Sequence, residues 1–211
     1  MDGYVGELPK GMAGISKISV QTGTSHGGVV LADGSLAEVN VDFDTLKDLS
    51  KAARDEYGTG GAVQHGASTL PPNAFNKFPQ VGTLEIHLAT NFQNIIFDNS
   101  PDDFVQTAYD YIKANHSDEW KENMTEDQFI YKSRKRAIGA MKADMWGFGA
   151  EVQTSLGKVL QEQFEFLFMQ LNVCNTAAAA RRWTTVVNIH KPRPEEAVEM
   201  DEMDLAHDLA D

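Results

Sequence analysis

Cysteine occurs once in the 211 residues, at Cys174. A single thiol excludes a disulfide framework and a cysteine-based metal cluster, and it suits a reducing compartment, so we expect the cytoplasm. Long apolar runs are missing too. None approaches the roughly 20 residues that a helical bilayer span needs, so no membrane partner is expected. Met1-Asp-Gly-Tyr4 lacks the basic and apolar regions of a signal peptide. Basic residues are outnumbered, with 18 Lys and Arg against 31 Asp and Glu, for a formal charge of −13. That balance argues against nucleic acid as a partner. Phosphorylated small molecules stay open, because backbone N–H groups and a few placed side chains can hold a phosphate. The acidity is also uneven: residues 195–211 hold eight acids and no Lys or Arg, leaving −5 for the rest. We read 191–211, with Pro192 and Pro194 at its start, as an acidic tail expected to be disordered.

What is present is patterned. Ile15 to Thr22 alternates apolar and polar residues, the period of a strand. Val29 to Val41 reads as a turn-rich connection around Asp33-Gly34. Asp42 or Asp44 can then cap a helix that carries Leu46, Leu49 and Ala53 on one face. Gly60 to Gln64 predicts a short buried strand, Pro71-Pro72 a short helix through Phe75 and Phe78, and Gly82 to Leu88 a third strand before a helix near Phe92 to Phe97. Residues 1–14, Gly-rich and holding Pro9, read as a loop. Strand and helix thus alternate three times, the organisation of an α/β protein.

Beyond residue 98 the pattern turns helical. Ser100-Pro-Asp-Asp103 supplies an N-cap, a proline at N1 and acids facing the helix dipole. Thr125 with Gln128 fits a capping box, and Val152, Leu156, Leu160, Phe164, Leu167 and Leu171 form an apolar stripe. At least three packed helices are expected across 100–175, within a helical extension spanning 99–190.

Two short stretches carry chemistry. Gln21-Thr-Gly-Thr-Ser-His-Gly-Gly28 closes the first strand, and Val63-Gln-His-Gly-Ala-Ser-Thr69 closes the second. Ligands of parallel α/β folds sit beyond the carboxyl ends of the strands, where His26 and His65 both fall. A neutral imidazole ligates zinc well, and a following glycine lets backbone approach a ligand closely. The same residues read equally as hydrogen-bonded loop histidines. Ser68 and the amides near Gly66 suggest a small phosphate cradle. Ser25-His26 is no hydrolase dyad, since the nucleophile-elbow pattern is missing.

These motifs carry a resemblance. Gly23-Thr-Ser-His-Gly27, Val41-Asp-Phe-Asp-Thr-Leu46, His65-Gly-Ala-Ser68 and Leu84-Glu-Ile-His-Leu-Ala-Thr90, in this order, resemble the last three β/α units of a class II, zinc-dependent fructose-bisphosphate aldolase. Gln128 to Lys135 and Phe164 to Asn175 resemble the C-terminal region of that family's longer-chain branch. The resemblance implies a partial (β/α)8 TIM barrel over residues 1–98, followed by the helical region. It implies reversible cleavage of fructose 1,6-bisphosphate to dihydroxyacetone phosphate and glyceraldehyde 3-phosphate, with Zn2+ as cofactor. His26 and His65 would be metal ligands, and Gly27, Gly66 and Ser68 would sit against a substrate phosphate. Where the family has an Asn and an Asp at the last strand, this chain has Glu85 and His87, with Thr90 the nearest hydroxyl; all three are expected substrate contacts. For His87, a hydrogen-bonded strand residue is an equal reading. The departure makes a tagatose-type ketose bisphosphate the alternative substrate.

The family's remaining zinc histidine and its proton-handling aspartate lie in a His-x-Asp-His-like run, which these residues do not contain. Met1-Asp-Gly-Tyr4 itself resembles the interior of a helix. We therefore expect a C-terminal half, catalytic groups upstream of Met1, an isolated chain without activity, and a partner that is either a homodimer mate or the missing N-terminal half. A non-catalytic half-barrel used for assembly is the reading from another class.

Overall fold

The computed structural model describes residues 1–12, 14–24, 28–32, 35–37 and 39–187. It divides into two compact units, Met1–Cys174 and the segment from Asn175 onward. In the first unit, β1 (Ile18–Val20), β2 (Ala62–Gln64) and β3 (Glu85–Ile86) form one parallel sheet in that spatial order. Parallel neighbours need a crossover. Helix α2 (Phe43–Asp55) supplies the first; a 3-10 turn (Pro72–Ala74) and α3 (Lys77–Gln80) supply the second; α4 (Thr90–Asp98) follows β3. The chain is thus mixed α/β, mostly helical, with a small parallel sheet.

The strands are shorter than the ranges expected from the sequence, and glycine explains one boundary. Gly61 has φ +132°, and a Cβ there would lie 2.8 Å from Arg54 Nη1, so β2 begins only at Ala62. Helix α2 starts where the sequence suggests: Asp42 accepts from the Thr45 N–H at 2.9 Å, so Asp42 is the cap and Asp44 lies in the first turn. Residues 2–6 are a correction. Asp2–Gly6 is a one-turn helix, α1, rather than loop. Tyr57 donates to the Asp2 carboxylate at 2.7 Å, which anchors a turn that its glycines would otherwise weaken.

Alternation gives the sheet two unlike faces. On one, Ala62 is buried with Leu46 and Phe78, and Val20, Ile86 and Leu88 pack against the same core. By the strand period the other face carries Lys17, Ser19, Val63 and Glu85, and the same parity continues to His65 and His87 past the strand ends.

Helices α5 (Asp102–Asn115), α6 (Glu126–Ser133) and α7 (Lys135–Ala140) enclose a second core of Phe97, Phe104, Ala108, Ile112 and Phe129, continued by Met141 into α8 (Lys142–Trp146). The expected packed helices of 100–175 are therefore present. The capping box is present as well, with Thr125 and Gln128 each bonding the other's backbone N–H. The start of α5 differs by one residue. Ser100 donates its hydroxyl to the Ile96 carbonyl at 2.7 Å, which leaves Pro101 as the N-cap. Arg134, only 9% exposed, joins this layer to α4 by donating to Asn94 Oδ1 at 2.6 Å and lying over the Phe97 ring.

Helix α9 (Ala150–Gln170) returns to the first core, where Leu167 is buried and Phe164 stacks on Phe92 at 4.9 Å. Its stripe is less covered than expected for core, with Phe164 44% exposed. In the second unit, α10 (Ala177–Trp183) carries Arg181 and Arg182 in its last turn. The acidic tail expected over 191–211 lies outside the described residues. Among the described residues no helix is long and apolar enough to cross a membrane.

Candidate functional site

The site is a consequence of strand register. Val63 lies opposite Glu85 and Gln64 opposite Ile86, and the His87 N–H continues the ladder by donating to the Gln64 carbonyl at 2.9 Å. Two residues past Val63 and Glu85, His65 and His87 therefore come side by side. Their ring centres are 4.3 Å apart and the rings are tilted by 36°. His65 is half-buried and His87 exposed.

Glu85 stands two residues before His87 on the same strand face, and its carboxylate is divided between two partners. One oxygen pairs with His87 Nε2 and the other with Lys17 Nζ, which reaches over β2 from the entry to β1. The Lys17 ammonium first, and His87 second, hold the Glu85 carboxyl below the ordinary carboxylate value. Because a carboxylate only accepts, His87 Nε2 carries the hydrogen in this pair, and in the neutral ring Nδ1 keeps its lone pair.

Beneath the histidines is a group that the sequence reading did not single out. Gln64 is fully buried at the end of β2. Its Oε1 accepts from the Thr22 hydroxyl at 2.5 Å, and its Nε2 donates to Thr24 Oγ1 at 2.9 Å and to the His65 carbonyl at 2.5 Å. The Thr24 hydroxyl donates to the same carbonyl at 2.7 Å. The chain leaving β1 is thereby tied to the backbone of His65. A glutamine in an otherwise apolar strand, opposite a threonine-rich strand end, was the available signal.

The phosphate side of the prediction gathers at α4. Ser68 Oγ accepts from the Ala89 N–H at 2.9 Å, directly before Thr90, the first residue of α4. Gly66 takes φ +69°, a conformation that favours glycine, as the chain turns away from His65. Gly28, at φ +73°, lies so close to Thr69 that a Cβ would come within 2.9 Å of Thr69 Oγ1. That hydroxyl is buried and has no hydrogen-bond partner among the described residues. The loops after β1 and β2 therefore touch. His26 and Gly27 lie outside the described residues.

The structure thus brings His65, Glu85 and His87 into one group and Ser68 and Thr90 into another. A catalytic zinc takes three protein ligands. Two adjacent imidazoles, one fixed by a carboxylate, suit part of such a set in donor chemistry. Among the described residues, no three His, Cys, Asp or Glu side chains are grouped to hold a metal. No protein-family model matches the chain, and no curated protein matches it.

Proposed function

We propose that the chain is the C-terminal part of a class II fructose-bisphosphate aldolase, acting in the cytoplasm on a phosphorylated ketose. The observation that carries this reading is His65. It stands directly beyond the carboxyl end of a parallel strand, next to a left-handed glycine, in a strand–helix order repeated three times. That is where a (β/α)8 barrel keeps its reacting groups, and the polar sheet face bearing Lys17, Glu85 and His87 suits a barrel interior lined for ligand. The fold reading is accordingly the last three β/α units of such a barrel, with the helical layer appended. A closed barrel takes eight strands, so the reading requires a complementing half.

In this proposal His65, with His26, holds the metal. A divalent ion there supplies Lewis acidity toward the substrate carbonyl. The chain's own contributions are binding and orientation. Ser68, the amides opening α4 and Thr90 receive a phosphate, since a helix N-terminus favours an anion. Glu85 and His87 meet the sugar where the family has amide and carboxylate groups. This changes the donors and acceptors offered to the substrate hydroxyls, and it keeps a tagatose-type bisphosphate as the second reading.

The test is a coupled cleavage assay on the 211-residue chain, alone and mixed with the N-terminal barrel half of a class II aldolase. Alone it should turn over little fructose 1,6-bisphosphate, because lost acid–base groups forfeit about 10²–10⁴-fold in rate. With the complementing half, zinc-dependent cleavage that His65→Ala abolishes is expected. Robust turnover by the chain alone would put the catalytic groups elsewhere. A soluble complemented barrel that cleaves neither the fructose nor the tagatose bisphosphate would sink the enzyme reading.

A further inference from the structure

We propose that the helical layer holds a binding site for an aliphatic diamine, in the groove between the first turn of α5 and the segment around α8. The site belongs to the second core and shares no residue with the histidine group at the strand ends, so it stands or falls apart from the aldolase reading.

Three observations carry it. The first is space. A groove of about 590 Å³ is lined by Asp103, Phe104 and Thr107 from α5 and by Met141, Asp144 and Phe148 from the later segment. Small-molecule sites enclose about 300–1,000 Å³. The groove therefore has room for an organic ligand, and a lone metal ion would leave most of it empty.

The second is charge. Each side contributes one carboxylate, Asp103 from the first turn of α5 and Asp144 from the first turn of α8, and none of the described residues lining the groove is basic. Neither carboxylate forms an ion pair among the described residues. Lys142, the cation nearest Asp144 in the chain, is engaged elsewhere, with its Nζ over the Trp146 ring at 4.6 Å. Two like charges sharing one groove repel each other, and a ligand with two ammonium groups removes that repulsion. A lysine side chain of a partner protein would bring only one.

The third is the remaining lining. Phe104 and Met141 are buried and Phe148 half-buried, and the two rings meet edge to face with centres 4.9 Å apart. Apolar surface holds methylene groups, and an aromatic face attracts an ammonium. This combination suits two ammonium groups joined by a short methylene chain, not a hydrated inorganic ion.

The experiment is titration calorimetry of the 211-residue chain with putrescine at about 0.15 M salt, where distant charges are screened. Putrescine should bind at one site, and n-butylamine, with the same carbon chain and one ammonium, should bind several-fold more weakly. Asp103→Asn and Asp144→Asn each remove one charge and should each weaken putrescine by about 3–10-fold. Asparagine can still accept the Phe104 N–H that Asp103 takes at 2.9 Å, so the start of α5 is kept. Phe148→Ala should weaken putrescine as well. Glu122→Gln, a loss of one exposed charge outside the groove, should leave affinity unchanged. If Glu122→Gln weakens binding as much as the groove variants, or the groove variants have no effect, the chain takes up diamine through its overall negative charge and the proposal is overturned. No detectable binding at millimolar putrescine, or n-butylamine binding as tightly, overturns it too. So does a trilysine peptide that binds where putrescine does not, which would make the groove a docking site for a protein.

Discussion

Replacing Gln64 by leucine tests whether the buried polar network under the histidines holds the two strand ends together. The substitution keeps the shape and removes every hydrogen bond of the side chain. Thr22, 3% exposed, would lose the acceptor of its hydroxyl, and a buried group left unsatisfied costs about 1–3 kcal/mol. The two bonds from Nε2 to Thr24 and the His65 carbonyl contribute roughly 0.5–1.5 kcal/mol each, although Thr24 still satisfies that carbonyl at 2.7 Å. Leucine returns part of this through its apolar surface. A net loss of roughly 2–4 kcal/mol is expected, read as a lower urea midpoint at unchanged slope. Adding Thr22→Val removes the orphaned hydroxyl, so the double variant should be more stable than Gln64→Leu by about 1 kcal/mol or more. A Gln64→Leu protein within ~0.5 kcal/mol of wild type, the scatter of an ordinary surface change, would refute the reasoning.

Other consequences follow from single contacts. Asp42, whose carboxyl is held below its ordinary value of 3.8 mainly by the Thr45 hydroxyl, contributes stability that is complete above that value and lost as pH falls through the lower folded one. Wild type should therefore exceed Asp42→Asn in thermal midpoint at neutral pH, and the gap should close in acid; a gap constant with pH would contradict this. Arg134→Met should loosen α4 from the helical layer, because it deletes the bond to Asn94 and the stacking over Phe97; a cost of roughly 2–3 kcal/mol in urea is expected. Thr125→Ala breaks the capping box and should cost about 1 kcal/mol, read by the same denaturation, while Thr125→Ser should cost little.

Local signals in the sequence carried through to the structure where the cause is local. Asp42 and the Thr125–Gln128 box cap their helices because the capping partners lie three residues away in the chain. The order of strands and helices was legible for the same reason. Register was not. Lys17 meets Glu85 across β2, and Gln64, opposite Val20, meets Thr22 two residues further on, only because of how different strands are aligned, which periodicity within one segment cannot specify. The Glu85–His87 pair is intermediate: both residues were named, and their spacing of two already put them on one strand face, yet its meaning depends on His65 arriving from the neighbouring strand. Ser100 shows a local signal diverted by a competing local partner, the Ile96 carbonyl.

Gln128 gives the distant helical layer a hold on the loop that leaves β1. While its Oε1 closes the capping box, its Nε2 donates to the Val30 carbonyl at 2.8 Å, across 98 positions of sequence. Val30 is itself paired with Leu36 in an isolated antiparallel bridge. The first turn of α6 and this loop consequently share one fastening and should open in a single event. Amide protons on either side would then exchange with matched rates, and loosening one partner would hasten the other.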